Sequence, residues 1–165
     1  MTGMKNGTSG SLFAAILILL LASGGSLQAQ VNLSKEEKTV VAGIEQQADH
    51  YGVVAHQIWS WAELGYQEEQ SSALLQAELQ AAGFSIEPGV AAIPTAFVAS
   101  YGSGKPVIGV LGEFDALPGV SQAAVPYPEA REESANGHAC GHHLFGTGSA
   151  AAVSRMRIRT CMRLV

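Results

Sequence analysis

The sequence predicts an α/β layer architecture, in which helices pack against a sheet. Apolar residues recur at alternating spacings of three and four over residues 41–62, and a second stretch of helical period covers residues 68–82, which is the pattern of amphipathic helices. Three short runs rich in β-forming residues follow, separated by glycine and proline turns. Helical stretches followed by such strands are typical of this fold class.

The composition supports a folded domain and argues against a nucleic-acid partner. Hydrophobic residues make up 47% of the 165-residue chain, which is enough apolar material for a core and argues against disorder. All 14 acidic residues lie between Glu36 and Glu133, whereas only four basic residues lie between Gln30 and Ser154. Nucleic-acid binding requires a basic face, and we therefore expect no nucleic-acid partner.

Residues 1–29 are typical of a secretory signal peptide. Lys5 supplies a positive charge, the eleven residues from Leu12 to Ala22 are all apolar, and a Ser-Gly-Gly-Ser break precedes a small-residue cleavage site at Ala29. This run is too short to span a membrane, which takes about 20 residues. We expect a periplasmic or secreted protein without a stable membrane anchor after cleavage. The alternative is a buried helix of a cytosolic protein.

The first helix is expected to begin with a capping box, because Ser34 precedes Glu37 by three residues at the start of the helical pattern. We expect one long helix that ends at Gly65, with an inward face formed by Val41, Ile44, Ala48, Tyr51, Ala55, Ile58 and Ala62. A second helix over residues 68–82 is expected to stop at Gly83. Its inward residues are expected to be Leu74, Leu75 and Leu79.

Strands are expected at residues 84–90, 95–101 and 106–111. The third includes the uninterrupted apolar run Val107–Leu111, which is typical of a strand covered on both faces. Residues 120–137 contain two prolines and three glutamates, and we expect them to form a solvated loop.

Two acidic residues follow the third strand directly, at the end of a sheet where α/β proteins bind ligands. Glu113 and Asp115 are two residues apart, so their side chains share a face if the chain stays extended. Two carboxylates at one place repel each other unless a cation or a histidine lies between them. The alternative is a solvated turn in which neither acid has a role.

Residues 137–143 hold three of the five histidines together with Cys140, and these side chains are the ligands that zinc and similar metals prefer. His138, Cys140 and His142 follow one another at intervals of two, so an extended segment aims all three in one direction. The pattern predicts a metal site. The alternative is a chance cluster or a core histidine without a ligand role.

Two cysteines in an exported protein also allow a disulfide, which would join Cys140 to Cys161. The metal role is the better prediction for Cys140, because histidines flank it. His50 and His56 lie on the first helix, and we expect them at the surface or in packing. A structural Cys/His finger is not expected, because no fourth ligand stands at the required spacing.

Four segments of the sequence resemble, in the same order, those of a known enzyme family. They are residues 61–66 (WAELGY), 93–104 (IPTAFVASYGSG), 112–119 (GEFDALPG) and 137–146 (GHACGHHLFG). Over about residues 34–152 the chain resembles the metal-dependent amidohydrolases of metallopeptidase family 20, and among them the aminobenzoyl-glutamate hydrolase B-subunit group. The resemblance implies the N-terminal part of a zinc-peptidase-like catalytic domain over residues 30–152, with helices packed on a mixed sheet. It implies homo-oligomers only for the full-length form.

The resemblance also implies roles for individual residues. Cys140 and His142 match metal ligands of the family. Asp115 matches the acid that supports the metal site, and Glu113 takes the place of a ligand histidine. His143 departs from the pattern, where asparagine or aspartate is usual, and is a further candidate ligand, as is His138 by its spacing. The implied cofactor is one or two divalent ions, zinc or manganese.

The implied reaction is the metal-dependent hydrolysis of an amide bond to an amino acid. Its small-molecule substrate is of the aminobenzoyl-glutamate, N-acyl amino acid or dipeptide type. The general base of the family, a glutamate of a later Glu-Glu pair, has no counterpart in this sequence. Four of the last eleven residues are arginine, against one in the preceding 154. Residues 153–165 are therefore expected to be an aberrant tail produced by a frameshift.

We accordingly expect the chain to be incomplete and inactive alone. The alternatives are a non-catalytic metal-binding fragment or pseudoenzyme, a truncated product that does not fold, and a genuine basic tail that binds an anionic surface.

Overall fold

A computed structural model describes residues 32–156 and 161–164. The predicted signal peptide, residues 1–29, lies outside the described residues. From Ser34 onward the chain forms one unit that holds all the described helices and strands. Within the described part of the chain, no helix is both long and apolar enough to cross a membrane.

The first helix, α1, covers Lys35–Glu45 and begins with the predicted capping box. The Glu37 amide donates a hydrogen bond to Ser34 Oγ at 3.2 Å, and the Ser34 amide donates to Glu37 Oε2 at 2.7 Å. These bonds satisfy backbone donors that have no partner within the helix. The backbone hydrogen bond from Ser34 also holds the pKa of Glu37 below its ordinary value.

The prediction of one long helix is wrong, because the chain turns at residues 46–47. A second helix, α2, covers Ala48–Trp61. Gln47 leaves the helical region (φ −112°, ψ 10°), and its amide donates to the carbonyl of Ile44 in a tight turn. The α2 helix ends at Trp61 rather than near Gly65, since Ala62 is left-handed (φ 46°). Apolar periodicity did not reveal this break because neither glycine nor proline marks it.

The helix α3, Glu69–Ala81, confirms the second predicted helix, with Leu75 and Leu79 buried. Its first turn is capped from outside the helix by Glu63. The Gln70 amide donates to Glu63 Oε1 at 3.0 Å, and both the amide and the hydroxyl of Ser71 donate to Glu63 Oε2, at 2.8 and 2.7 Å. A carboxylate at this position is favourable because it meets the positive end of the helix dipole.

In the part of the chain that the structure describes, four strands form one mixed sheet. They are β1 (Ser85–Pro88), β2 (Phe97–Tyr101), β3 (Val107–Val110) and β4 (Cys161–Leu164), in the spatial order β1-β2-β4-β3. The β4 strand pairs antiparallel with β2 and parallel with β3. A 3₁₀ turn at Val90–Ala92 connects β1 to β2. This mixed sheet with its helices confirms the predicted fold class.

The expectation that the third strand is covered on both faces is wrong for the described residues. Among residues 32–156 and 161–164, β3 lies at the edge of the sheet and pairs only with β4. Val107 is 49% exposed and Leu111 54% exposed. The apolar run therefore predicted a strand correctly but not its edge position. An edge strand has a neighbouring strand on one side only, and the exposure of Val107 and Leu111 shows that this part of the chain is not covered on both faces.

The described part of residues 153–165, the predicted aberrant tail, packs into the fold. The helix α4, His142–Arg155, continues past Ala152, and β4 lies between two other strands. Val153 is buried, and Leu164 is only 3% exposed. Arginine content does not prevent pairing, because side chains alternate across a strand and polar ones can face outward. The frameshift concerns how the segment arose, and it stays a prediction.

The core lies where α2, α3 and α4 meet the sheet. Its buried members are Val54, Ile58, Leu75, Leu79, Phe84, Phe97, Ala99, Ala150, Val153 and Leu164. Residues 120–137 form the predicted loop, without helix or strand. Arg131 ties this loop to the end of α2: its Nη1 and Nη2 atoms each donate at 3.0 Å, to the carbonyls of Trp59 and Ser60, and its guanidinium lies 4.3 Å from the centre of the Trp59 ring.

Candidate active site

The candidate site lies where the chain leaves β3 and passes the first turns of α4. Gly146, on α4, permits this close approach, because a Cβ atom there would stand 2.7 Å from the carbonyl oxygen of Glu113. Gly141, with φ 76°, turns the chain into the helix immediately before His142. These two glycines bring the acids that follow β3 next to the first residue of α4.

His142 lies between the two predicted acids. Its Nδ1 atom is 2.8 Å from Asp115 Oδ1, and its Nε2 atom is 3.1 Å from Glu113 Oε2. A histidine thus stands between the two carboxylates, which is one of the two arrangements that offset their mutual repulsion. A neutral imidazole carries one N–H and can donate to only one of the two acids. If Asp115, the nearer acid, accepts that hydrogen bond, the lone pair of Nε2 faces Glu113.

This arrangement fits one edge of a divalent-metal site. Two ligand atoms held at about 2.1 Å from one ion stand about 3.0–3.4 Å apart, and Glu113 Oε2 and His142 Nε2 are 3.1 Å apart. A carboxylate on the other ring nitrogen, as Asp115 supplies, is the usual way in which a ligand histidine is oriented. The fit is partial, since the described residues contain no group of three or more histidine, cysteine or acidic side chains able to hold an ion.

The segment from His138 to His142 is not extended, contrary to the expectation from its spacing. The Gly141 amide donates to the carbonyl of His138 at 3.0 Å, which closes a turn, and α4 begins at His142. Cys140 is an exposed free thiol in this turn. The structure thus brings His142 to the two acids without aligning His138 and Cys140 with it, because a turn does not keep the period of two that an extended chain has.

His138 and His143 form a separate pair, with ring centres 5.0 Å apart. His138 Nε2 donates to the carbonyl of Ile58 at 3.1 Å, whereas the Nδ1 atoms of both rings are buried without a hydrogen-bond partner among the described residues. Burial lowers the pKa of each ring below the ordinary value of 6.5, and in His138 the bond to Ile58 opposes that effect. Both rings therefore favour the neutral form.

A cleft of about 300 Å³ opens beside the two acids. Its apolar wall contains Leu75, Ile93, Phe97, Leu111, Phe114 and Leu164, and its acidic lining residues are Glu68, Glu113 and Asp115. Glu68 is only 7% exposed, and Thr95 Oγ1 donates to its Oε2 atom at 2.7 Å. Sequence reasoning missed Glu68, although an acid at the start of a predicted helix, two residues after the segment 61–66, was a signal that it could have used.

In comparisons with known proteins, the chain is similar to parts of hydrolases. No protein-family model matches the chain. The chain is 46% identical over 110 residues to the B-subunit of p-aminobenzoyl-glutamate hydrolase from Escherichia coli K12, over 66% of this chain and 23% of that protein. It is 29% identical over 148 residues to human Xaa-Arg dipeptidase, over 81% of this chain and 30% of that protein. The chain thus spans less than a third of the length of these curated relatives.

Two proteins of solved structure share the fold. One is a protein from methicillin-resistant Staphylococcus aureus described as an aminohydrolase, with a TM-score of 0.63 and 16% identity, over 77% of this chain and 33% of that one. The other is a dinuclear metal-binding peptidase of the M20 family from Bacillus subtilis, with a TM-score of 0.51 and 21% identity, over 69% of this chain and 34% of that one.

Proposed function

The chain belongs to the metallopeptidase family 20 amidohydrolases, and from this membership we propose that it serves the metal-dependent hydrolysis of an amide bond to an amino acid. The observation that carries the proposal is the position of His142 between Glu113 and Asp115 at the carboxyl end of β3. The substrate is a small-molecule amide of the aminobenzoyl-glutamate, N-acyl amino acid or dipeptide type. The names of the relatives support this class of reaction.

The residues have separate roles in this proposal. Glu113 and His142 hold a divalent ion, zinc or manganese, and Asp115 orients the His142 ring through Nδ1. Cys140, whose thiol is exposed in the turn before α4, would be a further ligand of such an ion. When bound, such an ion polarises the amide carbonyl and lowers the pKa of a water molecule toward about 7.

The proton acceptor for that water comes from outside the described residues. In this proposal Asp115 orients the His142 ring and Glu113 holds the ion, so neither acid is a free general base. Together with the incomplete ligand group, this supports the proposal that the described residues supply one part of the catalytic centre. We propose in consequence that the chain does not turn over substrate alone.

A non-catalytic metal-binding protein is the second candidate. The observation that favours it is the same pair of ligand atoms, which can hold an ion weakly without the remaining parts of a catalytic centre. The two candidates differ in what the chain does with a substrate analogue. If the chain is part of an enzyme, it binds the analogue, and its affinity for the analogue rises when metal is added. If it is a metal-binding module, it binds the metal but not the analogue.

Calorimetric titration of the chain with Zn²⁺ and Mn²⁺ tests both candidates. His142→Asn should lower metal affinity at least tenfold, whereas His56→Asn, at an exposed position on α2, should leave it unchanged. Metal-dependent binding of p-aminobenzoyl-glutamate supports the hydrolase, and metal binding without binding of p-aminobenzoyl-glutamate supports the module. An absence of metal binding, or equal affinities in the two variants, contradicts both. Release of p-aminobenzoate by the chain would refute only the proposal that it is inactive alone.

The cellular location and assembly of the protein are also proposals. We propose export to the periplasm or the medium, supported by the charge and the apolar run of residues 1–29. Fusion of these residues to a periplasm-dependent reporter tests export, and an inactive fusion would contradict it. Homo-oligomers are proposed for the full-length form only.

A further inference from the structure

We propose that one buried water molecule joins the side chains of His138, His143 and Thr147. This network holds the first turn of α4 in the orientation in which the ring of His142 lies between its two acids. The three residues are positioning residues, because they act on the site through His142. The inference rests on the proposed function for the importance of His142, and it adds to that function a buried site for one water molecule.

The first support is a group of three buried polar atoms. The Nδ1 atoms of His138 and His143 and the Oγ1 atom of Thr147 are shielded from solvent, and none of them has a hydrogen-bond partner among residues 32–156 and 161–164. Buried polar groups without partners are costly, and atoms so enclosed suit a ligand as small as a water molecule. A buried water molecule typically makes about three hydrogen bonds to such groups.

The second support is the distance between these side chains. The ring centres of His138 and His143 are 5.0 Å apart. Two atoms that share one water molecule stand at most about 5.8 Å apart, because each hydrogen bond is about 2.9 Å long. Thr147 lies four residues after His143 on α4, so the two side chains project from the same face of the helix. The spacing thus allows one water molecule to contact all three side chains.

The third support is the match between donors and acceptors. Nε2 of His138 donates to the carbonyl of Ile58 at 3.1 Å, so Nδ1 of the neutral ring carries a lone pair and accepts. Nδ1 of His143 accepts as well when the ring hydrogen is on Nε2, and the Thr147 hydroxyl can donate. A water molecule has one hydrogen for each ring and a lone pair for the hydroxyl, so it satisfies the whole group.

The fourth support is that the Thr147 hydroxyl does not form the usual bond of a helical threonine. Such a hydroxyl commonly donates to the carbonyl four residues earlier, as Thr39 does to Lys35 in α1 at 3.0 Å. Thr147 Oγ1 forms no such bond to His143 within the described part of the chain, although Thr147 is only 3% exposed. Its hydroxyl is therefore available to a small ligand.

The start of α4 is a place where external support matters. Gly141, which precedes the helix, supplies no side-chain hydrogen bond to the first turn, and Gly146 and Gly148 lower the intrinsic stability of the helix. His142 and His143 are neighbours in this turn, and one contacts the acids while Nδ1 of the other is buried at the proposed water site. Holding His143 therefore limits the rotation of the turn, and with it the position of the His142 ring.

NMR of the unchanged chain tests the water site directly. Overhauser experiments in the laboratory and rotating frames distinguish a bound water molecule from proton exchange. We expect transfer from a long-lived water molecule to the ring Hε1 protons of His138 and His143 and to the methyl protons of Thr147. We also expect nitrogen chemical shifts that show Nδ1 of both rings without a hydrogen. A hydrogen on either Nδ1 atom, or no long-lived water near these protons, would overturn the inference.

Thr147→Val tests the positioning role, because it removes the hydroxyl and keeps the shape of the side chain. The readout is the exchange with solvent of the proton between His142 Nδ1 and Asp115 Oδ1. We expect this exchange to become about fivefold faster or more in Thr147→Val, as the loss of one hydrogen bond implies. Thr147→Ser, which keeps the hydroxyl, should retain the slow exchange. Thr39→Val, in α1, is the matched control and should also retain it.

An unchanged exchange rate in Thr147→Val, or an equal increase in all three variants, would overturn the positioning role. If Thr147→Val does not fold, the water signals of the unchanged chain decide the question, since their presence supports the site and their absence overturns it. These measurements need no metal. A chain that shows the bound water and the faster exchange but binds no metal would refute the proposed function and keep the water network.

Discussion

Asp115 Oδ1 lies 2.8 Å from Nδ1 of His142 and thereby fixes the orientation of the ring that faces Glu113. Such a carboxylate contact fixes which nitrogen carries the proton and makes the other a better ligand. Asp115→Asn should therefore lower metal affinity by about 10- to 100-fold while the protein stays folded. Competition with a chromophoric chelator measures the affinity. Asp49→Asn, at an exposed position on α2, is the control, and an equal loss in both variants would contradict the orienting role.

Gly146→Ala should separate α4 from the acids that follow β3. The new Cβ atom would lie 2.7 Å from the Glu113 carbonyl oxygen and 3.2 Å from the Phe114 side chain. We expect a loss of about 1–3 kcal/mol in the free energy of unfolding, together with weaker metal binding, because His142 moves relative to Glu113.

Gly148→Ala is the matched comparison for that substitution, since a Cβ atom there meets no atom within 4 Å. It should stabilise the helix by up to about 1 kcal/mol. Urea denaturation of both variants measures the free energies. Similar stabilities for the two alanine variants would show that close packing at Gly146 is not required.

Glu63 should make the stability of the chain depend on pH in the acid range. Burial alone raises the pKa of Glu63, but the hydrogen bonds from Gln70 and Ser71 outweigh burial and hold the pKa below the ordinary value of 4.5. A carboxyl whose pKa is lower in the folded state contributes stability at pH values above 4.5 and loses that contribution as the pH falls through the folded-state pKa.

Glu63→Gln should consequently lower the free energy of unfolding by about 1 kcal/mol at pH 7, and the difference from the unsubstituted chain should shrink below pH 4.5. Urea denaturation at pH 7 and at pH 3.5 measures both values. Glu45→Gln, at the exposed end of α1, should have little effect. A difference that grows as the pH falls would contradict the capping role of Glu63.

Arg131 should control the order of the loop formed by residues 120–137. Arg131→Lys removes two hydrogen bonds to carbonyls of α2 and the stacking on Trp59, because an ammonium cannot reproduce the planar fork. We expect faster cleavage within the loop in limited proteolysis and a loss of about 1–2 kcal/mol in stability. Glu133→Gln removes only an exposed contact of 3.7 Å with Arg131 and should change little.

The sequence predicted the parts of the fold that depend on local chemistry. The Ser34 capping box, the helix that carries Leu75 and Leu79, and the approximate positions of three strands need only short-range patterns. The break at Gln47 and the edge position of β3 depend on tertiary contacts, which periodicity does not report. A pattern of apolar residues shows that a segment has a buried face but not which segment covers it.

The sequence likewise predicted some parts of the candidate site and not others. A partner for Glu113 and Asp115 could be anticipated, because the two acids follow a strand and repel each other unless a cation or a histidine lies between them. The separation of Cys140 and His138 from that contact depends on the turn at Gly141. The hydrogen bond from Thr95 to Glu68 could not be anticipated, since the two residues are 27 positions apart.

The position of β4 has a consequence for synthesis on the ribosome. β4 separates β2 from β3 in space although it follows both in sequence. The two earlier strands leave the ribosome with no partner between them, and their backbone groups stay open to wrong pairing until Cys161–Leu164 emerges. Folding of the sheet is therefore a late step that joins distant parts of the chain, and such steps are slow. A chaperone that shields β2 and β3 during this interval should raise the yield of folded protein.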